Sequence, residues 1–392
     1  MGVRMPYAAI IFLSLILSFP TQAAANPNYD EGETEINPIN QISLDEIEGY
    51  WNQVVNEYGG FLPEIQKGSL VEFIENKDSI SFKDWITGLF TFLFFEFVAN
   101  GKLLGTLILL TLFSVVLQSL QNAFEKQAVS KIAYAVVYLV LIIIALNSFQ
   151  LAISYTKDAI DTMSGFMVAL LPLILGLMAS FGSLAGVSFF HPIIIFLIHT
   201  SGILISSIVL PLLFMSALLS IVSTLNKEYK VTQLAGLFRN GALAILGAFF
   251  TVFLAVISVQ GAASSVQDGI AVKTAKFVTG NFIPVIGRMF TDATDTVLSA
   301  SLLLKNSVGI VGVIIILGLA LFPAFKVFVI SLIYKVAAAV LQPIGGGIII
   351  DCLQIISKHI LLIFAALLVV TLMFFLSIVI VVASSNITMM IR

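Results

Sequence analysis

The sequence predicts an all-α, polytopic membrane protein, and three observations carry that prediction. Of 392 residues, 59% are hydrophobic and only 10% are charged, against about 25% charged in soluble domains. Apolar runs long enough for a ~30 Å hydrocarbon core recur along the chain, among them 103–120, 132–153, 241–259 and 359–382. Charge is also segregated. Residues 26–85 hold 13 Asp/Glu and 3 Lys, whereas residues 86–392 hold 9 acids and 15 bases. An acidic head therefore precedes a basic membrane body.

Residues 1–25 read as a signal peptide. Arg4 gives the positive start, Tyr7–Phe19 the short apolar run and Ala23-Ala24-Ala25 a small-residue cleavage site. Either cleavage or a retained anchor with Arg4 inside leaves residues 26–85 outside the cytoplasm. This acidic region should be helical after a polar lead over 26–42. Ser43-x-x-Glu46 and Ser69-x-x-Glu72 are capping boxes. Leu44, Ile47, Tyr50, Trp51, Val54, Val55 and Tyr58 recur at helical spacing before Gly59-Gly60. Packing within this small region and docking on the membrane body or a partner both fit that stripe. Ser81-x-x-Asp84 opens a further helix whose aromatic face predicts an interfacial segment over 86–101.

Residues 102–392 form the multi-pass body. Span 103–120 is followed by a polar turn with Lys126 and Lys131. Span 132–153 is followed by a turn marked by Lys157, Asp158 and Asp161. Residues 163–223 then run 61 residues without Asp, Glu, Lys or Arg. That length suits three short spans, with breaks near Gly182-Ser183 and Ser206-Ser207. This reading also puts Lys126, Lys131, Lys227, Lys230 and Arg239 on the cytoplasmic side, as the positive-inside rule asks. A span over 241–259, a polar connection over 260–280, an apolar run over 309–333 and a final span over 359–382 complete the series. Gln342-Pro343 and Gly345-Gly346-Gly347 break the stretch 337–350, which suggests a re-entrant or unwound pair. The total is roughly eight to ten crossings.

An internal repeat is a further expectation. Pro172 and Pro211 are 39 residues apart, as are Pro284 and Pro323, and the pairs are offset by 112. Units of about 130–240 and 241–350 would then be duplicated, an arrangement that builds sites between units.

Chemistry-bearing residues are few. Arg288, Asp292 and Asp295 stand at i, i+4 and i+7, so one helix face carries all three, extended by Thr296 and Ser299. An ionisable residue at membrane depth costs about 2.5–3.5 kcal/mol. The face therefore lines an aqueous path, contacts a partner, or belongs to a helix lying on the membrane surface. Glu96, Lys326 and Asp351 are the other candidate intramembrane polar residues. Each has a plain reading as well: Glu96 reaching the interface, Lys326 snorkelling along its own stem, and Asp351 capping the helix that follows.

His191 and His199 lack nearby Asp, Glu or Cys, so no metal site is expected. Cys352 is the only cysteine, which leaves no intramolecular disulfide. The chain has no HExxH, Gly-x-Ser-x-Gly or P-loop motif. We expect no enzyme activity and no cofactor, and any energy for transport from another protein or an ion gradient. No basic patch suggests a nucleic-acid partner; the lipid bilayer is the expected environment.

Four phrases together carry a family resemblance: NEYGGFLPEIQKGSLVEFI at 56–74, ANGKLLGTLILLT at 99–111, SIVSTLNKEYKVTQLAGLFRN at 220–240 and TAKFVTGNFIPVIGRMFTDATDTVLSASLLLKN at 274–306. With the signal peptide and the closing apolar tail, they make the whole chain resemble the stage III sporulation protein AE family of endospore-forming bacteria. The resemblance implies a multi-pass component of a channel or secretion-like complex between mother cell and forespore, required for forespore development and late forespore gene expression. It implies residence in the mother-cell membrane around the forespore. The implied partners are the other proteins of the same operon, one of them ATPase-like, and indirectly a forespore membrane protein. Permease or export gate, scaffold, and free-standing transporter are the three roles it leaves open. The family offers no catalytic residues to carry over.

Overall fold

The computed structural model describes residues 38–61, 70, 82–123, 128–180, 184–225, 231–282, 286–344 and 347–390, with backbone alone over 264–307 and at a few flanking positions. Among these the protein is entirely helical. The elements are α1 (Pro38–Tyr58), α2 (Phe82–Ala99), α3 (Gly101–Ala123), α4 (Ala128–Ser180), α5 (Leu184–Leu204), α6 (Leu210–Leu225), α7 (Thr232–Phe282), α8 (Ile286–Leu341) and α9 (Ile348–Met390). The chain divides at Pro38, and Ile39–Arg392 forms one compact unit. The expected signal peptide and the capping box at Ser69 lie outside the described residues.

Local chemistry explains the boundaries. α1 begins at Pro38, whose fixed φ and missing N–H suit a first helical position. Ser43 is thus inside the helix and cannot cap it, contrary to the capping-box reading. The stop is as expected, with a short 3₁₀ turn over Gly59–Phe61. α2 and α3 meet at Asn100 with a 48° bend. Asn100 Nδ2 donates to Glu96 O at 2.9 Å, which satisfies a carbonyl at the end of α2.

The number of crossings is lower among the described residues. Five helices there are long and apolar enough to span a membrane, or six if the α2–α3 pair is one bent span, against roughly eight to ten expected for the whole chain. The expected turn at Lys157, Asp158 and Asp161 is the interior of α4, a single 53-residue helix. Residues 150–162 contain no Gly or Pro to break it. The charges sit on one exposed side, and Ser154 Oγ donates to Asp158 Oδ2 at 3.3 Å. The expected break at Ser206-Ser207 is a π-helical segment, Ile205–Val209, within one continuous span. Pro211 supplies the cause, because it has no N–H for the carbonyl one turn back. The stretch 337–350 is neither re-entrant nor an unwound pair. α8 ends in a 3₁₀ turn over Gln342–Ile344 and α9 starts at Ile348, so two long helices meet at this stretch, with Gly345 and Gly346 outside the described residues.

α8 and α9 form the most extensive packed pair, and α4 lies against both. Apolar packing fills the interior, with Phe149, Phe166, Phe253, Phe322 and Phe374 fully buried. Hydroxyl groups tie neighbouring helices at three levels. Tyr138 Oη on α4 donates to Ile221 O on α6 at 3.1 Å. Ser148 on α4 and Tyr334 on α8 pair through their hydroxyls at 2.8 Å. Ser331 Oγ on α8 donates to Ser357 O on α9 at 2.8 Å. Such bonds are typical adhesion between membrane helices, where apolar contacts alone do not distinguish protein from lipid. Of the repeat prolines, Pro172 and Pro323 are inside helices and Pro211 follows the π segment; Pro284 lies outside the described residues.

Candidate functional site at the α1–α4–α8 junction

α1 docks on the membrane body through the face its spacing marks. Ile47, Trp51, Val54 and Tyr58 are buried, with Trp51 only 1% exposed. Asp45, Glu46, Glu48 and Glu57 stay on the exposed side. Each buried side chain contributes about 1.5–3 kcal/mol. Two glycines make room for α1. A methyl group at Gly318 on α8 would lie 2.8 Å from Val54 Cγ1. One at Gly165 on α4 would lie 2.5 Å from Tyr50 Oη.

Tyr58, the last residue of α1, completes an aromatic cluster. Its ring stacks on Phe322 at 4.0 Å and meets Phe92 of α2 edge-on at 6.0 Å. One turn beyond Phe322 is Lys326, whose Nζ lies 5.9 Å from the Tyr58 ring and 5.6 Å from that of Tyr155. Both are cation–π distances. Between Phe322 and Lys326 sits Pro323, which has no N–H to give the Leu319 carbonyl. Leu319, Pro323, Lys326, Tyr58, Tyr155 and Asp158 line a cavity of about 180 Å³, together with Gln53 and Glu57. A cation, two phenols, two carboxylates and a freed carbonyl thus converge between three helices.

The electrostatics of α1 follow from this packing. Burial holds the Tyr58 phenol well above its ordinary range, reinforced by its hydrogen bond to Glu57 and by the charge of Glu96. Burial and then the charge of Glu46 likewise raise Tyr50. Further along α1, Glu46 and Tyr50 face Asp161, Ser164 and His199 across an open cleft. Among the described residues no cluster of His, Cys, Asp or Glu has the makings of a metal site.

The sequence-derived candidates fare unequally. Lys326 is at the centre of the junction. Glu96 borders it, and Asn100 Nδ2 donates to its Oε1 at 2.9 Å. Asp351 stands apart, exposed in the first turn of α9, where a carboxylate complements the helix dipole. The backbone places Arg288, Asp292, Asp295, Thr296 and Ser299 on α8, the same helix that carries Lys326; their side chains lie outside the described residues. Sequence reasoning missed Tyr58 and Tyr155 as site residues. Tyr58 looked like one more member of an apolar stripe, and nothing local in the sequence brings it to Lys326.

The chain's relatives bear on this architecture. The family profile described as stage III sporulation protein AE matches residues 65–385. Stage III sporulation protein AE of Bacillus subtilis (strain 168) is 57% identical over 377 residues, covering 95% of this chain and 94% of that protein. No solved structure matches. The chain belongs to the stage III sporulation protein AE family, and is a member with several membrane-spanning helices.

Proposed function

We propose that the protein is a membrane subunit of the assembly linking mother cell and forespore, and that it serves there as permease or export gate. The observation that carries the sporulation role is the 57% identity over 95% of the chain. The gate reading rests on the α1 junction. A lysine inside a long apolar helix is costly and marks a pathway or a partner by default. Here it faces polar groups beside a proline inside the helix, with α1 seated over them. In this reading α1 closes the path and its release opens it.

Two features support residence between apposed membranes. The apolar stretch of α4, Ala135–Ala179, is 45 residues long, about 68 Å at 1.5 Å per residue. A bilayer core accounts for ~30 Å, and the remainder suits contact with other subunits. Counting the bent α2–α3 pair as one span puts the loops holding Lys126 and Lys227 on the same side as the α8–α9 corner. In this reading that side is cytoplasmic by the positive-inside rule, and α1 reaches its seat from the opposite side, that of the intermembrane space. Energy would come from the ATPase-like operon partner or an ion gradient. The protein itself has no part in catalysis and needs no cofactor.

A scaffold role is the second reading. Phe90, Phe94, Phe95 and Val98 on α2 are exposed, Phe90 and Phe94 by 68% and 69%, and offer a face to another subunit as readily as to lipid. Solute and ion flux through proteoliposomes separates these readings, with the protein alone and with its operon partners. Flux that appears with partners and changes in Lys326→Met supports the gate. Flux from the protein alone points to a free-standing transporter. No flux in any combination leaves the scaffold.

A further inference from the structure

A second polar feature shares no lining residue with the α1 junction. The end of α6, the start of α7 and the first turns of α9 enclose a groove of about 700 Å³. Its described lining includes Arg239 and Lys358 and no carboxylate. Arg239 is about two turns into α7 and Lys358 about three turns into α9. At such depth in membrane-spanning helices an ionised side chain needs water or an anionic partner.

The groove is supplied with donors. Ser220, Ser223 and Thr232 line it. Ser223 is 8% exposed, and its buried Oγ has no hydrogen-bond partner. A buried hydroxyl left unpaired is costly, so an acceptor from outside the chain is the natural complement. Thr232 opens α7, whose N-terminus adds the positive end of a helix dipole. The floor is fixed independently: His359 Nδ1 donates to Ile355 O at 2.8 Å, and the Ser216 hydroxyl lies 3.0 Å from His359 Nε2. The wall toward the outside is apolar, and its Leu243 and Leu361 remain exposed.

We propose that this groove binds an anionic phospholipid, the phosphate held by Arg239 and Lys358 with the Ser223 hydroxyl, and the acyl chains running along Leu243 and Leu361. The exposed leucines favour a lipid over a soluble anion. The ends of two membrane spans meet here, at Thr224 and Thr232, which sets the groove at head-group level. The site stands whether or not the α1 junction conducts.

The test uses the full chain purified in neutral detergent, with lipid retention read by native mass spectrometry and stabilisation by thermal shift. Phosphatidylglycerol, phosphatidylcholine and inorganic phosphate are the three probes. We expect retention and stabilisation with phosphatidylglycerol and not with phosphatidylcholine. Each basic residue near an anionic surface contributes about 1 kcal/mol, about fivefold, so Arg239→Gln with Lys358→Gln should weaken retention about 25-fold. Both side chains are exposed, so the fold should survive; Lys83→Gln, an exposed cation on α2, is the control and should retain lipid. Ser223→Ala should lose part of the lipid-dependent shift without a lower melting temperature in lipid-free detergent. Equal retention of the two lipids, or retention unaffected by the double substitution, overturns the proposal. Equal stabilisation by inorganic phosphate overturns the lipid assignment in favour of a soluble-anion site.

Discussion

Replacing Trp51 with alanine should release α1 from the membrane body without unfolding that body. Trp51 is 1% exposed, and removal of a fully buried tryptophan costs about 3–5 kcal/mol. Three other buried side chains of α1, Ile47, Val54 and Tyr58, contribute about 1.5–3 kcal/mol each. The loss is therefore a large share of what holds the helix down, and the α8–α9 pair does not depend on it. Each 1.4 kcal/mol is tenfold in an equilibrium, so opening of α1 should become roughly 10² to several 10³ times more frequent. Hydrogen exchange read by mass spectrometry on peptides covering 45–58 measures this directly. Protection there should fall by that factor while peptides from 327–341 and 349–370 hold theirs. Unchanged exchange in 45–58 would refute the docking energetics. A matching loss across α8 and α9 would show instead that α1 is an integral part of one cooperative core.

Three further outcomes follow from the same geometry. The raised Tyr58 phenol lends α1 a stability that is complete below the unfolded tyrosine pKa of about 10 and is lost as pH rises above it. Exchange in 45–58 should thus accelerate above about pH 10, and Tyr58→Phe should blunt that rise. Tyr334→Phe removes the hydroxyl partner of Ser148, which keeps its bond to Ile144 O at 3.0 Å; a stability loss of about 1 kcal/mol is expected, seen as a lower melting temperature. Exchanging Arg288 and Asp292 together should restore sporulation if they only pair with each other. Continued failure with normal assembly, read by co-purification of partners, identifies that face as a pathway.

Much of the helical order was legible because its signals are local. The 3.6-residue stripe through Ile47, Trp51, Val54 and Tyr58 names the buried face of α1, and Gly59-Gly60 its end. Sequence and structure part where charge mimics a turn. Lys157, Asp158 and Asp161 interrupt hydropathy but not the helix, because backbone continuity is ended by Gly, Pro or lost hydrogen bonds rather than by a charged side chain on an open face. The absence of Gly and Pro over 150–162 was the available sign. Pro323 shows the converse: it sits inside α8 and leaves the helix continuous, yet frees a carbonyl at the site.

By itself, the sequence determined the all-helical membrane class, the acidic head with its amphipathic stripe, and the family, since these depend on composition, period and phrase. Only the tertiary structure decided what the stripe is for. Tyr58 and Lys326 are 268 positions apart, and no local rule joins them. They meet because Gly165 and Gly318 open a seat of α1's width on two neighbouring helices. The same holds for Arg239 and Lys358, single charges on separate helices until packing of α6, α7 and α9 sets both on one groove. Burial and charge pairing are properties of the assembled helices, so the sites they create appear only when the helices are in place.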